Sequence, residues 1–576
     1  MTDKERANPR HEKKYQKLMR QTELLLTECA DEVEIVHHLW ECQYQSIKKG
    51  DAVVLGGPTL MAPFEQLKVC NAELIQFLEG PNFRPFEKLK IRDGLSAALS
   101  ETFALKYLKQ PGETCYILDI SSLFSHVAID FPMPQGRYSN LIGDELASTA
   151  VSFDPEGTRM YLNGTEVIAV VQARVFPPRQ LVHPFLQTQI NGITVATLCR
   201  KCSLEAKRRD GIAVCTHSEL ERSFVSTLSS CEVAYAALLG YTFNFFEMIV
   251  YYEAGFFLRP FLTLLAFEKL RHSEYPKNIV TPDEKVKYCK SINEQMQFPK
   301  LIQMEFCPAV VQPNAQLRAF SKACLNFFLG TFGANPEKGT TVEFVHYYQE
   351  LLKHVKSNRI VDLVPLTDDI LQVTLKNREV HPSRTSNVSV AISITAMARV
   401  VVHKKMQQVT QLGGCLLRVA CDALYFVLPD TVPLPFQIDE AFGNFKHQFE
   451  NVEAVIQVGL RNLSILFRDS EGHLREHLIT GGVMLSQYNE AILCHEKYKD
   501  VVEKLFQDDP QLAKTKVLNV QYQNSIKRPK LKCVRKKQTA FSQLIHLRRQ
   551  FMPNSKHYAS LPYGFQVTNA LLSNRI

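Results

Sequence analysis

The chain has 576 residues, 45% of them hydrophobic and 22% charged, which argues against a disordered chain and exceeds what one ordinary core holds, so several domains or subdomains are expected. A formal charge of +8 is mild for this length; it permits a polyanionic partner without demanding one. Fifteen cysteines, scattered except for one group, and a polar opening without a secretory signal point to reduced thiols inside a cell, in nucleus or cytoplasm and not secreted.

Residues 1–28 read as a charged helix, and "VEIVHHLWECQYQ" as a strand ending at Trp40. A Gly/Pro-rich loop spans 50–65, and "PFEQLKVCNAELIQFLEG" is a helix stopped by Gly80 and Pro81. After the turn "KQPGE", "TCYILDISSLF" is a strand that ends near Asp119. "MYLNGTEVIAVVQARVFPP" is a hairpin turning at Asn163–Gly164. The apolar run 233–246, closed by Glu232 and Glu247, is too short to span a membrane and reads as a buried helix or hairpin.

"QLRAFSKACLNFFLGTFG" and "VEFVHYYQELLKHVKS" have the period of amphipathic helices. "CLLRVACDALYFVLP" reads as one buried strand, interrupted by Asp422, whose carboxylate is costly there unless paired or bound to a cation. "VEAVIQVGLRNLSILFRD" is strand–turn–strand. The segment "KRPKLKCVRKK" holds seven Lys/Arg in 527–537; it is a solvated tail, a nuclear address or a strand laying cations along a phosphate backbone. The sum is a mixed α+β chain with long insertions and no internal repeat.

Three groups carry chemistry. Cys199, Cys202, Cys215 and His217 form a CxxC knuckle followed by a CxH pair, the four ligands of a closed tetrahedral zinc site. Such a site is structural, a staple for an insertion without its own core; buried thiols beside a chance histidine are the plainer alternative. Arg318, Lys322 and Asn326 recur at i, i+4 and i+8, so one helix face gathers cations suited to a triphosphate, unless it is a plain surface stripe. Asp119 and Asp422 each sit on an apolar strand, about 300 residues apart. On adjacent strands they would hold two Mg²⁺ for phosphoryl transfer, although spacing alone favours two unrelated aspartates.

In their order along the chain, these segments resemble the family B DNA polymerases of the protein-primed, organellar and viral group, in particular those of Polinton/Maverick elements and related viruses. "YILDISSLFSHVAIDFPMPQG" is similar to the DxxSLYP motif, which makes Asp119 the first metal aspartate and sets Leu123 and Phe124 against the nucleotide sugar. "LRAFSKACLNFFLGTFG" resembles the KxxxNSxYG helix, matching Lys322, Asn326 and Gly330, with Arg318 a further triphosphate contact. "RVACDALYFVLP" resembles DTDSLYF, with Asp422 the second metal aspartate. "VGLRNLSILF" resembles the KxY primer motif, with Arg461 for Lys. Ala420, Ala423, Phe327, Leu329, Leu463 and the pair Ala97–Ala98 depart from these motifs.

The resemblance implies a right-hand polymerase fold: an antiparallel palm sheet, helical fingers and a thumb, with a zinc-bearing insertion. The expected divisions are a remnant or helical/strand module at 1–80, first palm part at 81–180, zinc insertion at 181–305, fingers at 306–335, second insertion and second palm part at 336–455, and thumb with basic region at 456–576. The implied function is DNA-directed DNA polymerisation of a mobile-element or viral type, without proofreading. It uses two Mg²⁺ ions and a structural Zn²⁺. Its partners are a DNA primer–template and dNTPs, a terminal priming protein being a further partner the likeness allows, and no membrane. The alternative is a catalytically inactive, polymerase-derived nucleic-acid-binding protein.

Overall fold

The computed structural model describes residues 89–566 except 191, 206–213, 277–278, 336–339, 358, 366–369, 377–385, 481–493, 505–516, 523–534, 541–547 and 553–554; at 340, 364–365, 504, 517–522 and 535–540 it describes the backbone alone. The expected helices, strand and loop before residue 89, and residues 527–534 of the basic stretch, lie outside the described residues. The fold is mixed α+β, and its sheets are antiparallel.

The elements used below are, in chain order, β1 (Ser100–Thr102), β2 (Lys106–Leu108), β3 (Glu113–Ile120), α1 (Leu123–Asp130), β4 (Met160–Leu162), β5 (Thr165–Phe176), α2 (Ser230–Leu238), β6 (Thr242–Gly255), α3 (Arg259–Arg271), α4 (Ala315–Phe332), β7 (Thr340–Val345), α5 (Tyr348–Lys356), β8 (Leu371–Lys376), α6 (Val388–Gln411), β9 (Cys415–Ala420), β10 (Ala423–Pro429), β11 (Phe445–Phe449), β12 (Val452–Gly459), β13 (Asn462–Arg468) and β14 (Leu474–Thr480).

The central sheet has the order β1-β9-β10-β3-β11, and a second runs β2-β12-β13-β14. Strand β3 explains why the first needs cover on both faces. Leu118 and Ile120 enter the main core, while Cys115 and Ile117, on the opposite side of the pleat, enter a second core. Strand β10 divides the same way: Leu424, Phe426 and Leu428 face the main core, and Ala423, Tyr425 and Val427 face the second. Val455 of β12 with Leu463 and Ile465 of β13 closes that second core. Helix α6 fills the main core. Its sequence "VSVAISITAMARVVVHKKMQQVTQ" is apolar around most of its circumference, as a helix covered on several sides must be.

The Asn163–Gly164 turn joins β4 to β5 with φ of 49° and 83°, the left-handed pair of a type I′ hairpin. Three expectations need correction. The run 233–246 is neither one helix nor a hairpin but the end of α2 followed, past Gly240, by β6. The stretch "VEFVHYYQELLKHVKS" is helical only from Tyr348; residues 340–345 pair with β8, and the β-branched and aromatic side chains of 341–345 outweigh the helical period. "CLLRVACDALYFVLP" is two strands, β9 and β10, folded back at Cys421–Asp422.

Candidate active site

Asp422 therefore does not interrupt a strand. It occupies the second position of a two-residue turn, with Ala420 opposite Ala423. The first turn residue, Cys421, adopts φ 62°, a left-handed conformation that a side chain pays to enter. Two backbone bonds fix the turn: Cys421 N donates to Leu99 O at 2.8 Å, and Ile120 N donates to Asp422 O at 2.8 Å. The second bond ties Asp422 to the end of β3, where Asp119 lies directly opposite Ala423.

Two carboxylates are thus neighbours at the edge of the second core. Burial, and after it the charge of Asp119, push the Asp422 carboxyl up to about 6, with Lys446 and Lys322 pulling the other way. An oxygen-rich pair with mutual repulsion fits a hard divalent cation such as Mg²⁺, which would replace repulsion by shared attraction. Because its folded pKa is raised, Asp422 contributes most to stability below the ordinary carboxylate range, and that contribution is lost as pH rises through about 6. Protein kept in chelator is expected to show Asp422 titrating at about 6 by carboxyl ¹³C NMR, and Asp119→Asn is expected to lower that value. An unchanged midpoint in the Asp119→Asn protein would disprove the coupling.

Cations rim the pair. Lys446, directly opposite Asp119 on β11, places Nζ 2.8 Å from Asp119 Oδ2. Lys269 of α3 is 3% exposed; its Nζ donates to Ser122 Oγ at 3.1 Å and lies 4.9 Å from the centre of the Phe442 ring. Burial brings Lys269 down to about 8; Glu440 raises it, and Lys446, Arg318 and Lys322 add their repulsion. Arg318 Nε donates to Ser273 Oγ at 3.0 Å. Lys322 and Asn326 are exposed on the same face of α4. The sequence reading missed Lys269 and Lys446. A signal existed for the first: Lys269 falls on the apolar stripe Leu262–Ala266–Leu270 of α3, where a lysine needs a reason. None existed for Lys446, whose role depends on strand register.

The remaining singled-out residues are spread out. Leu123 is buried in the main core, and Phe124 is half-buried against it. A Cβ at Gly330 would meet open space. Arg461 is exposed at the β12–β13 turn, where Arg418 braces the carbonyls of Gly459 and Leu460. Leu463 is fully buried. Phe327 is 74% exposed, so the α4 face is less covered than its apolar neighbours suggest. Ser96 O and Ala97 O are held by Arg399 Nη1 at 3.0 and 3.1 Å, and Arg399 pairs with Glu232 at 2.7 Å.

The cysteine group converges. The ligand atoms of Cys199, Cys202, Cys215 and His217 all lie within 4.8 Å of one another, and His217 Nδ1 is 3.4, 3.3 and 3.7 Å from the three sulfurs. This donor set fits a closed tetrahedral zinc site. The group also clasps residues 560–566. Leu198 N donates to Tyr563 O at 3.0 Å, and Arg222 Nη1 donates to Gly564 O at 3.2 Å and to Cys215 Sγ at 3.7 Å. Among the described residues, no helix is long and apolar enough to cross a membrane.

Among solved structures, the chain is similar to Phi29 DNA polymerase complexed with primer-template DNA and incoming nucleotide, at 11% identity and a TM-score of 0.42, over 79% of this chain and 73% of that one. An orthorhombic crystal form of Phi29 DNA polymerase gives 12% identity and 0.41 over the same shares. The family B DNA polymerase of the archaeon Pyrobaculum calidifontis gives 12% identity and 0.25, over 89% of this chain and 51% of that one. No protein-family model matches the sequence, and no curated protein matches it.

Proposed function

We propose that this chain is a DNA-directed DNA polymerase of the family B, protein-primed type, related to those of mobile elements and viruses. The observation that carries the reading is the pairing of Asp119 with Asp422 beneath a rim of Lys269, Arg318, Lys322 and Lys446. Paired carboxylates bind divalent cations, and clustered cations bind polyphosphates. A site with both suits a reaction in which a metal-bridged triphosphate is cut.

When bound, two Mg²⁺ ions would acidify the primer 3′-hydroxyl and neutralise the departing pyrophosphate. The chain's residues supply the rest. Asp119 at the end of β3 and Asp422 in the β9–β10 turn would hold the cations, and the bond from Ile120 N to Asp422 O keeps the two side by side. Lys322 and Arg318 grip the triphosphate from one helix face, and Lys269 adds a desolvated positive charge behind Ser122. Phe124 packs under the sugar, Arg461 engages the primer backbone, and Asn326 and Gly330 border the templating pair. The 3′-hydroxyl gives its proton to water, its oxygen bonds to the α-phosphorus, and the bond from that phosphorus to the bridging oxygen breaks to release pyrophosphate.

Lys269→Met is expected to raise the KM for dNTP about five- to tenfold, with a smaller change in kcat, in steady-state incorporation. It is also expected to leave the melting temperature unchanged or raised, because it removes a desolvated charge. Equal KM values would remove Lys269 from the substrate site.

A second reading is a protein that binds primer–template without extending it. Lys446 on Asp119, alanines at 420 and 423, and the buried Leu463 favour it. Primer extension with Mg²⁺ or Mn²⁺, beside an Asp422→Ala control, separates the two. A gel shift at two salt concentrations then tests DNA binding, whose affinity should fall steeply with salt.

A further inference from the structure

Among the described residues Lys446 is the one cation in an ion pair with Asp119 or Asp422, and strand register sets its backbone opposite Asp119. It lies opposite Asp119 in the β3–β11 ladder, so both side chains leave the same face of the sheet. The chain leading into β11 is fixed from several sides. Gly443 N donates to Ser121 O at 2.9 Å, and Ser121 N donates to Asn444 O at 2.8 Å. Asn444 Nδ2 donates to Gln295 Oε1 at 2.7 Å and to both oxygens of Asp439 at 3.0 Å. From a backbone so held, the Lys446 ammonium reaches Asp119, and its side chain is partly exposed.

From this geometry, and resting on the polymerase reading above, we infer that Lys446 is an internal cation that competes with the divalent ion for Asp119. Without nucleotide, the ammonium occupies an oxygen that the ion needs, and the two positive charges repel. Occupancy by one therefore weakens the other reciprocally. An incoming triphosphate offers Lys446 a second anionic partner, which frees Asp119. The ion then binds tightly only when substrate is present. Lys446 is a positioning residue: it acts through Asp119 and moves no proton.

The test is a Mn²⁺ titration of the full chain without nucleotide, with free Mn²⁺ read by electron paramagnetic resonance. Lys446→Met is expected to bind Mn²⁺ about tenfold more tightly than the unaltered protein, and Lys446→Arg to stay near it. Asp422→Ala provides the site control and is expected to lose most of the binding. Circular dichroism melting checks that each variant folds, and Lys446→Gln takes the place of Lys446→Met if that variant does not. If Lys446→Met matches the unaltered protein while Asp422→Ala is weaker, the metal site stands and the competition is refuted. If Asp422→Ala binds as well as the unaltered protein, the metal-site reading and the competition are both refuted.

Discussion

Replacing Asp422 by alanine is expected to lower nucleotide incorporation by about a thousandfold or more, because several kcal/mol of transition-state stabilisation leave with the carboxylate. The protein should nevertheless stay folded. The Cys421–Asp422 turn is held by Leu99 O and Ile120 N through the backbone, and alanine keeps both bonds. Asp422 is also destabilised where it lies, desolvated and repelled by Asp119, so its removal should leave the melting temperature level or slightly higher in metal-free buffer. Lost incorporation with a preserved melt is the signature of a metal ligand. Asp119→Ala differs, because it also strands the ammonium of Lys446. Incorporation by Asp422→Ala equal to that of the unaltered protein would end the polymerase reading.

The second large effect concerns the Cys199–His217 cluster. Metal analysis should give about one zinc per chain, and Cys199→Ser should lose it, at a cost of roughly 3–5 kcal/mol. The damage should spread to residues 560–566, because Leu198, next to Cys199, bonds Tyr563 through the backbone and Arg222 bridges Cys215 Sγ and Gly564 O. Gly564 tests the clasp from the other side. It sits at φ +85°, and a Cβ there would lie 2.3 Å from Cys199 Cβ and 2.8 Å from Cys199 N. Gly564→Ala should therefore lower the melting temperature and speed proteolysis near 560–566, although every zinc ligand remains. A Gly564→Ala protein with unchanged melting would show that the clasp contributes nothing. Zinc content that survives Cys199→Ser would refute the ligand set.

Several features were legible in the sequence because they depend on neighbours in the chain. Asn163–Gly164 announces its turn, since Gly, and Asn more than most residues, tolerates the left-handed backbone that a type I′ hairpin requires. Helix α4 follows from its period, and with it the common face of Arg318, Lys322 and Asn326. The CxxC…CxH spacing marks its cluster because short chain segments bring the sulfurs together. The turn at Cys421–Asp422 was not legible. Its first position is a cysteine in a left-handed conformation rather than the Asn or Gly that favours one, and the turn is tied to Leu99 and Ile120, more than 300 residues earlier. Nor was the strand in "TTVEFV", whose preference was decided by pairing with β8.

Residue type and local spacing were enough to mark the groups able to do chemistry: two acids on apolar segments, a helix lined with cations, and a set of soft ligands. Long-range packing made the acids neighbours, set Lys446 against Asp119, buried Lys269 behind Ser122, and laid Gly564 against Cys199. The reason is physical. Charge, turn preference and helical period act over a few residues, whereas sheet register and burial are settled when distant segments pack together.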